Sequence, residues 1–215
     1  MKNEQAIREA LIANTINLIA EGGFEKATTK AITHFGKAPD GIKMNEVYIY
    51  RLFGSKEALY ERAFTTLDDE FFDALENCIC RVDDLTVDTT DKLQHIFNRA
   101  WNFVMRNESR CRCYVRYYYS IYFRGKSLDL HNRTFGEIVK VFEPLFKPEA
   151  DVGAIMQSVL NTVLDFAIRV YNGDLEDTEI NRPHIFNVLY CMMVTYFRDD
   201  IVKSLPIPTG SSTER

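Results

Sequence analysis

Apolar residues along the chain recur at spacings of three and four with charged residues between them, the period of amphipathic helices rather than of strands. The first helix is predicted from about Glu4 to Ala20, with Ile7, Leu11, Thr15, Leu18 and Ile19 on one side and Arg8 and Glu9 on the other. Gly22-Gly23 ends it. A second helix starts at Thr28 or Thr29, whose hydroxyls can cap free amides, turns Ala31, Ile32 and Phe35 inward and stops near Gly36. Two glycines and a proline within Gly36-Lys37-Ala38-Pro39-Asp40-Gly41 read as a loop. Met44 to Phe53 is a short amphipathic helix with Asn45 as its cap, and Gly54 breaks it. Ser55 then caps a long helix running through Leu59, Tyr60, Phe64, Leu67, Phe71 and Leu75 to about Arg81.

Downstream, Asp83 to Thr90 reads as a loop, followed by helices at about Asp91 to Asn107, Ser109 to Arg124, Leu128 to Phe146, Asp151 to Asn172 and Thr178 to Ile201. Ser204 to Arg215, with two prolines and a Ser-Ser-Thr run, reads as a tail. The fold class is all-α.

Composition narrows the function. With 215 residues, 46% hydrophobic and 27% charged, the chain falls in the globular range and can bury a substantial core. Its formal net charge is -5, yet residues 1–65 carry about +1 and the remainder about -6. A small DNA-facing head on an acidic body would show this sense of asymmetry. Five cysteines and an opening Met-Lys-Asn-Glu without an apolar leader suggest a reduced, cytoplasmic protein, and no run approaches the roughly 18 apolar residues of a membrane span.

Three strings carry a resemblance. Gly23-Phe24 with Ala27-Thr28-Thr29, then Tyr50-Arg51-Leu52-Phe53, then Gly54-Ser55-Lys56-Glu57-Ala58-Leu59 together resemble the DNA-binding domain of TetR-family transcriptional regulators. The resemblance covers the first sixty-odd residues and implies a three-helix helix-turn-helix domain (1–56), joined by a long helix to a helical ligand-binding and dimerisation bundle (57–203), with 204–215 as the tail. It implies operator DNA as partner, with Thr29, Tyr50 and Lys56 as phosphate anchors. Tyr50 would offer its hydroxyl to a phosphate, and Lys56 lies in the first turn of a helix, where free amides already favour an anion. Asn45 and Glu46 on the reading helix are placed to meet an adenine edge and a cytosine amino group, with Tyr48 beside them. The turn between the second and third helices is longer than the family's, which would bring Lys37 and Lys43 toward the phosphates or tilt the reading helix. Glu46 stands where the family commonly has a small or basic residue, and an acidic group there is repelled by phosphate. A head that no longer binds DNA, on a dimeric ligand-binding or interaction module, is therefore the competing reading.

For the body, the resemblance implies a homodimer through 151–172 and 178–201 and a small-molecule effector that releases a repressor from DNA. Ala154, Ser158, Thr162 and Ala167 give the first stripe its small residues, and Phe186, Leu189, Tyr190, Met193 and Phe197 the second its bulk. Between lies the tyrosine-rich run 114–124. Tyr114, Tyr117, Tyr118 and Ile121 share a helical face and, with Phe97, Trp101 and Met105, either line a cavity or pack as ordinary core. As a cavity, this set would suit a flat or cationic molecule.

Cys78-Ile79-Cys80 and Cys111-Arg112-Cys113 resemble metal pairs, but i and i+2 on a helix point about 200° apart and cannot chelate one ion. No metal or cofactor is expected. No H-E-x-x-H, G-x-S-x-G, Walker or dinucleotide motif occurs, which disfavours an enzyme.

Overall fold

The computed structural model describes residues 2–36, 44–83 and 87–202. Among these residues the chain forms ten α-helices: α1 (Lys2–Gly22), α2 (Thr29–His34), α3 (Val47–Phe53), α4 (Lys56–Asp83), α5 (Thr89–Arg106), α6 (Glu108–Tyr118), α7 (Lys126–Phe142), α8 (Val152–Tyr171), α9 (Asn181–Val194) and α10 (Asp199–Val202). A 3-10 turn, Glu143–Leu145, follows α7, and the only β-type pairing among the described residues is a single bridge between Phe146 and Phe197.

Side chains placed by the sequence fix the helix starts. Thr28 Oγ1 accepts from Ala31 N at 3.1 Å, Ser55 Oγ from Ala58 N at 3.0 Å, and Asp88 and Asp151 each accept at 2.9 Å from the amide three residues on. Each satisfies one orphan donor and contributes about 1 kcal/mol. Asn45 Oδ1 accepts from Val47 N at 3.1 Å and so orders the entry to α3. Gly54 ends α3 at φ 85°, a conformation costly for any residue with a Cβ, and its amide returns to Tyr50 O at 2.9 Å.

The head, α1 to α3, closes over Leu11, Ile32 and Ile49, all fully buried, with Leu59 of α4 beneath them. The head and the body share one continuous core, because α1 packs along α6 as well as α4. An aromatic column runs through the junction. Phe64 stacks on Tyr117 at 4.4 Å, Phe24 lies 4.6 Å from Tyr122 and 5.2 Å from Tyr60, and the Tyr60 hydroxyl donates to Ala27 O at 2.6 Å.

Three predicted helices are interrupted. The tyrosine-rich helix stops at Tyr118 rather than Arg124, because Ser120 Oγ donates back to Tyr117 O at 2.6 Å and accepts from Tyr122 N at 3.1 Å, closing a turn. The next helix ends at Phe142, its last turn tightening through Pro144 into the 3-10 form. The last breaks after Val194. There Lys147 N donates to Tyr196 O at 2.9 Å and Arg198 N to Leu145 O at 3.0 Å, so two chain segments share backbone hydrogen bonds. Most of the loop expected at Gly36 to Gly41, and the whole tail, lie outside the described residues.

Candidate nucleic-acid interface and ligand cavity

An open polar hollow forms where α2, α3 and α4 meet, lined by Thr28, Thr29, Tyr50, Ser55, Lys56 and Glu57. Thr29, Tyr50 and Lys56, the three expected anchors, thus come from three helices to one hollow. Tyr50 is 55% exposed. The Lys56 ammonium lies 5.6 Å from the Tyr60 ring centroid, which holds a cation at the hollow's edge. The Thr29 hydroxyl is already engaged, donating to the Glu46 carboxylate. Thr28 and Ser55 serve as caps, so their hydroxyls are also partly occupied.

On α3, Ile49 points into the core, and the outward face is Val47, Tyr50 and Arg51 with Glu46 at its entry. Asn45 is exposed, its side-chain oxygen accepting from Val47 N. Tyr48 is half-buried under the Arg51 guanidinium, 4.8 Å from its ring centroid, and Arg51 is 3.8 Å from Glu4. The sequence marked Val47, 67% exposed, only as a departure from the family's pattern and Arg51 only as part of a motif, naming neither as a contact. Their signal was the spacing i, i+3, i+4 opposite Ile49. Lys37 and Lys43 lie outside the described residues.

A second site, a partly open cavity of about 170 Å³, is bordered by α4 to α9. Phe97, Trp101 and Tyr114 line it; Met105, Tyr117, Tyr118 and Ile121 do not. With α6 ending at Tyr118, Ile121 falls in the following turn and is 76% exposed. Tyr117 instead packs on Phe64 and donates to Tyr122 O at 3.1 Å, while the Tyr118 hydroxyl accepts from Gln157 at 2.8 Å. Met105 stays half-buried at the edge of the core. The remaining wall comes from residues that the sequence placed elsewhere. Phe71, Phe72 and Leu75 belong to the long connector, and Val159 and Val163 of α8 with Phe186, Leu189 and Met193 of α9 belong to the stripes assigned to dimerisation.

Behind the cavity wall sits a buried polar cluster. Asp68 Oδ1 lies 2.9 Å from His131 Nδ1 and accepts from the Tyr114 hydroxyl at 3.1 Å, with Asp68 and His131 1% exposed. Burial, followed by the Asp68 carboxylate, pushes the Tyr114 phenol well above its ordinary range. The hydroxyl therefore stays protonated and donating.

No protein-family model matches the sequence, and no curated protein matches it. Solved structures match through the whole architecture. A TetR family transcription regulator from Marinobacter aquaeolei VT8 superposes with a TM-score of 0.71, covering 89% of this chain and 97% of its own at 15% identity. A TetR-like transcriptional regulator from Rhodococcus sp. RHA1 gives 0.59 over 87% and 93% at 17% identity. The chain has the TetR-family fold. In the terms of that fold, α1 to α3 form the helix-turn-helix head, α4 is the connector, and the cavity lies within the helical body. Among the described residues no helix is long and apolar enough to cross a membrane, and no cluster of three metal-ligating side chains occurs.

Proposed function

We propose that the chain is a DNA-binding transcription regulator of the cytoplasm, a homodimer whose head binds operator DNA as a repressor and whose cavity takes a small effector that releases it. The observation that carries this reading is the convergence of Thr29, Tyr50 and Lys56 on one hollow in the TetR-family fold. A phenol and an ammonium from two helices are phosphate donors, the Thr29 hydroxyl joins them only on leaving Glu46, and α3 beside them offers Val47, Tyr50 and Arg51 to a groove. We place the dimer interface on the faces of α8 and α9 turned away from the cavity. Ala154 and Ser158 are exposed on one, and Asn187, Val188 and Cys191 on the other. Small side chains on the first let two helices approach closely, and a two-fold pair would match two half-sites roughly 34 Å apart. Ligand in the cavity would act on the DNA through α4, which lines both sites.

The Glu46 carboxylate, held by Thr29 within the head, favours the second reading, a dimeric helical ligand-binding module whose head has lost DNA recognition. Selection of random DNA fragments by the purified protein, with a salt titration of any winner, separates the two. A pseudo-palindromic site bound by a dimer with steep salt dependence supports the regulator. Weak binding without sequence preference, with and without candidate ligands, supports the module.

A further inference from the structure

The cavity wall specifies the chemistry of what can occupy it. Apart from Trp101 and Tyr114, every side chain lining it is hydrocarbon or thioether. Both exceptions have their donors engaged outside the cavity. The Trp101 indole N–H donates to Asp177 Oδ1 at 2.9 Å, and that carboxylate is held by two hydrogen bonds from Arg182, at 2.6 and 2.7 Å. The Tyr114 hydroxyl donates to Asp68. His131 Nε2 is buried without a partner, but His131 does not line the cavity: Phe72 and Phe135, which do, pack on its ring at 5.6 and 5.8 Å. Among the described residues, no charge and no free hydrogen-bond donor is therefore presented to an occupant. With Tyr117 and Tyr118 outside the wall, the phenol handles expected for a cation are not there either.

A charged molecule entering such a space loses its hydration and gains no partner, whereas a neutral apolar one gains on transfer from water. The volume, about 170 Å³, is close to that of apolar cavities of roughly 150 Å³ that stay dry and admit benzene. Its lining residues on α5 run from Leu93 to Val104, about 16 Å of helix axis. We infer that the cavity is a binding site for a small uncharged hydrocarbon-like molecule, a single aromatic ring or a short alkyl chain without an ionised head. This rests on the reading of the cavity as the effector site.

Trp101 is the only tryptophan in the chain and lines the cavity, so its emission reports occupancy directly. The full chain is titrated with toluene and n-hexane, and with their charged counterparts benzoate and hexanoate. The expected result is saturable change of Trp101 emission and a raised Tm with at least one neutral probe, the carboxylates binding about 100-fold more weakly or not at all. Ala100→Leu, which fills the cavity from α5, should abolish the response while leaving the helical circular dichroism intact; if that variant does not fold, Val159→Leu fills it from α8. Carboxylates binding as tightly as their neutral partners, or no saturable response to either neutral probe, would overturn the inference. Its failure is distinct from failure of the regulator reading. A protein that selects an operator yet ignores toluene and n-hexane has another effector chemistry, and one that binds them yet selects no DNA keeps this site and loses the regulator.

Discussion

The hydroxyl of Thr29, on the first turn of α2, donates its hydrogen to the carboxylate of Glu46 at the entry to α3. A negative group thus lies against Thr29, which lines the hollow with Tyr50 and Lys56, in addition to Glu57, whose side chain borders the hollow itself. Replacing Glu46 with Gln keeps an acceptor for Thr29 and removes its repulsion of a phosphate. The E46Q protein should bind DNA about three- to tenfold more tightly at low salt, the gain shrinking as salt screens it. Fluorescence anisotropy at two ionic strengths measures this. Weaker binding by E46Q would instead assign the carboxylate to a base, as an acceptor from cytosine.

Lys56 makes no ion pair among the described residues, and its ring contact with Tyr60 is all that holds it. Lys56→Ala should therefore lower the slope of log affinity against log salt by about one, while costing at most about 1 kcal/mol of stability. An unchanged slope would remove Lys56 from the phosphate contacts.

The Asp177 carboxylate is held below its usual range, first by the Arg182 guanidinium and then by the Trp101 indole N–H, against the opposing effect of burial. A depressed folded-state pKa gives stability that is present above the unfolded value of about 3.9 and lost as pH falls through the lower folded value. Arg182→Leu should cost about 1 to 2 kcal/mol at pH 6, and the gap from the parent protein should close below about pH 4. Urea melts across that range would show it, and a gap that persists unchanged at pH 2 would contradict the assignment.

The thiols divide by exposure. Cys80 and Cys191 are exposed, whereas burial pushes Cys111 and Cys113 up to about 12 and raises Cys78 as well. Since the thiolate is the reacting form, iodoacetamide at pH 8 should modify Cys80 quickly, Cys191 quickly only in the dissociated chain because the proposed dimer covers it, and the other three only on unfolding. Peptide mapping by mass spectrometry resolves the order. Rapid labelling of Cys111 or Cys113 would mean that α6 opens from its place against α1.

Much of the head was legible because local chemistry marks it. Thr28, Ser55 and Gly54 each do one job at one position, whereas the three expected anchors came from the family resemblance and not from those local signals. The body was harder for a physical reason. Periodicity says that a face is apolar but not what covers it, so Val163, Phe186 and Met193 read as an interface while their side chains border the cavity. Tyr117, Tyr118 and Ile121 share a face only while the helix lasts, and one serine hydroxyl, that of Ser120, ends it before Ile121.

Tyr60 makes the connector a lever. Its hydroxyl grips Ala27, and its ring meets Phe24, so the head is clamped to the first turns of α4, while Phe71 and Phe72 on the same helix form part of the cavity wall. About 24 Å of stiff helix separates Lys56 from Phe72, so a tilt of about 5° at the cavity end displaces the clamped end by about 2 Å. Under the proposed function, a molecule seated against Phe71 and Phe72 would shift α4 and, through Tyr60, the head, and because α1 also packs along α6 that contact has to slide with it.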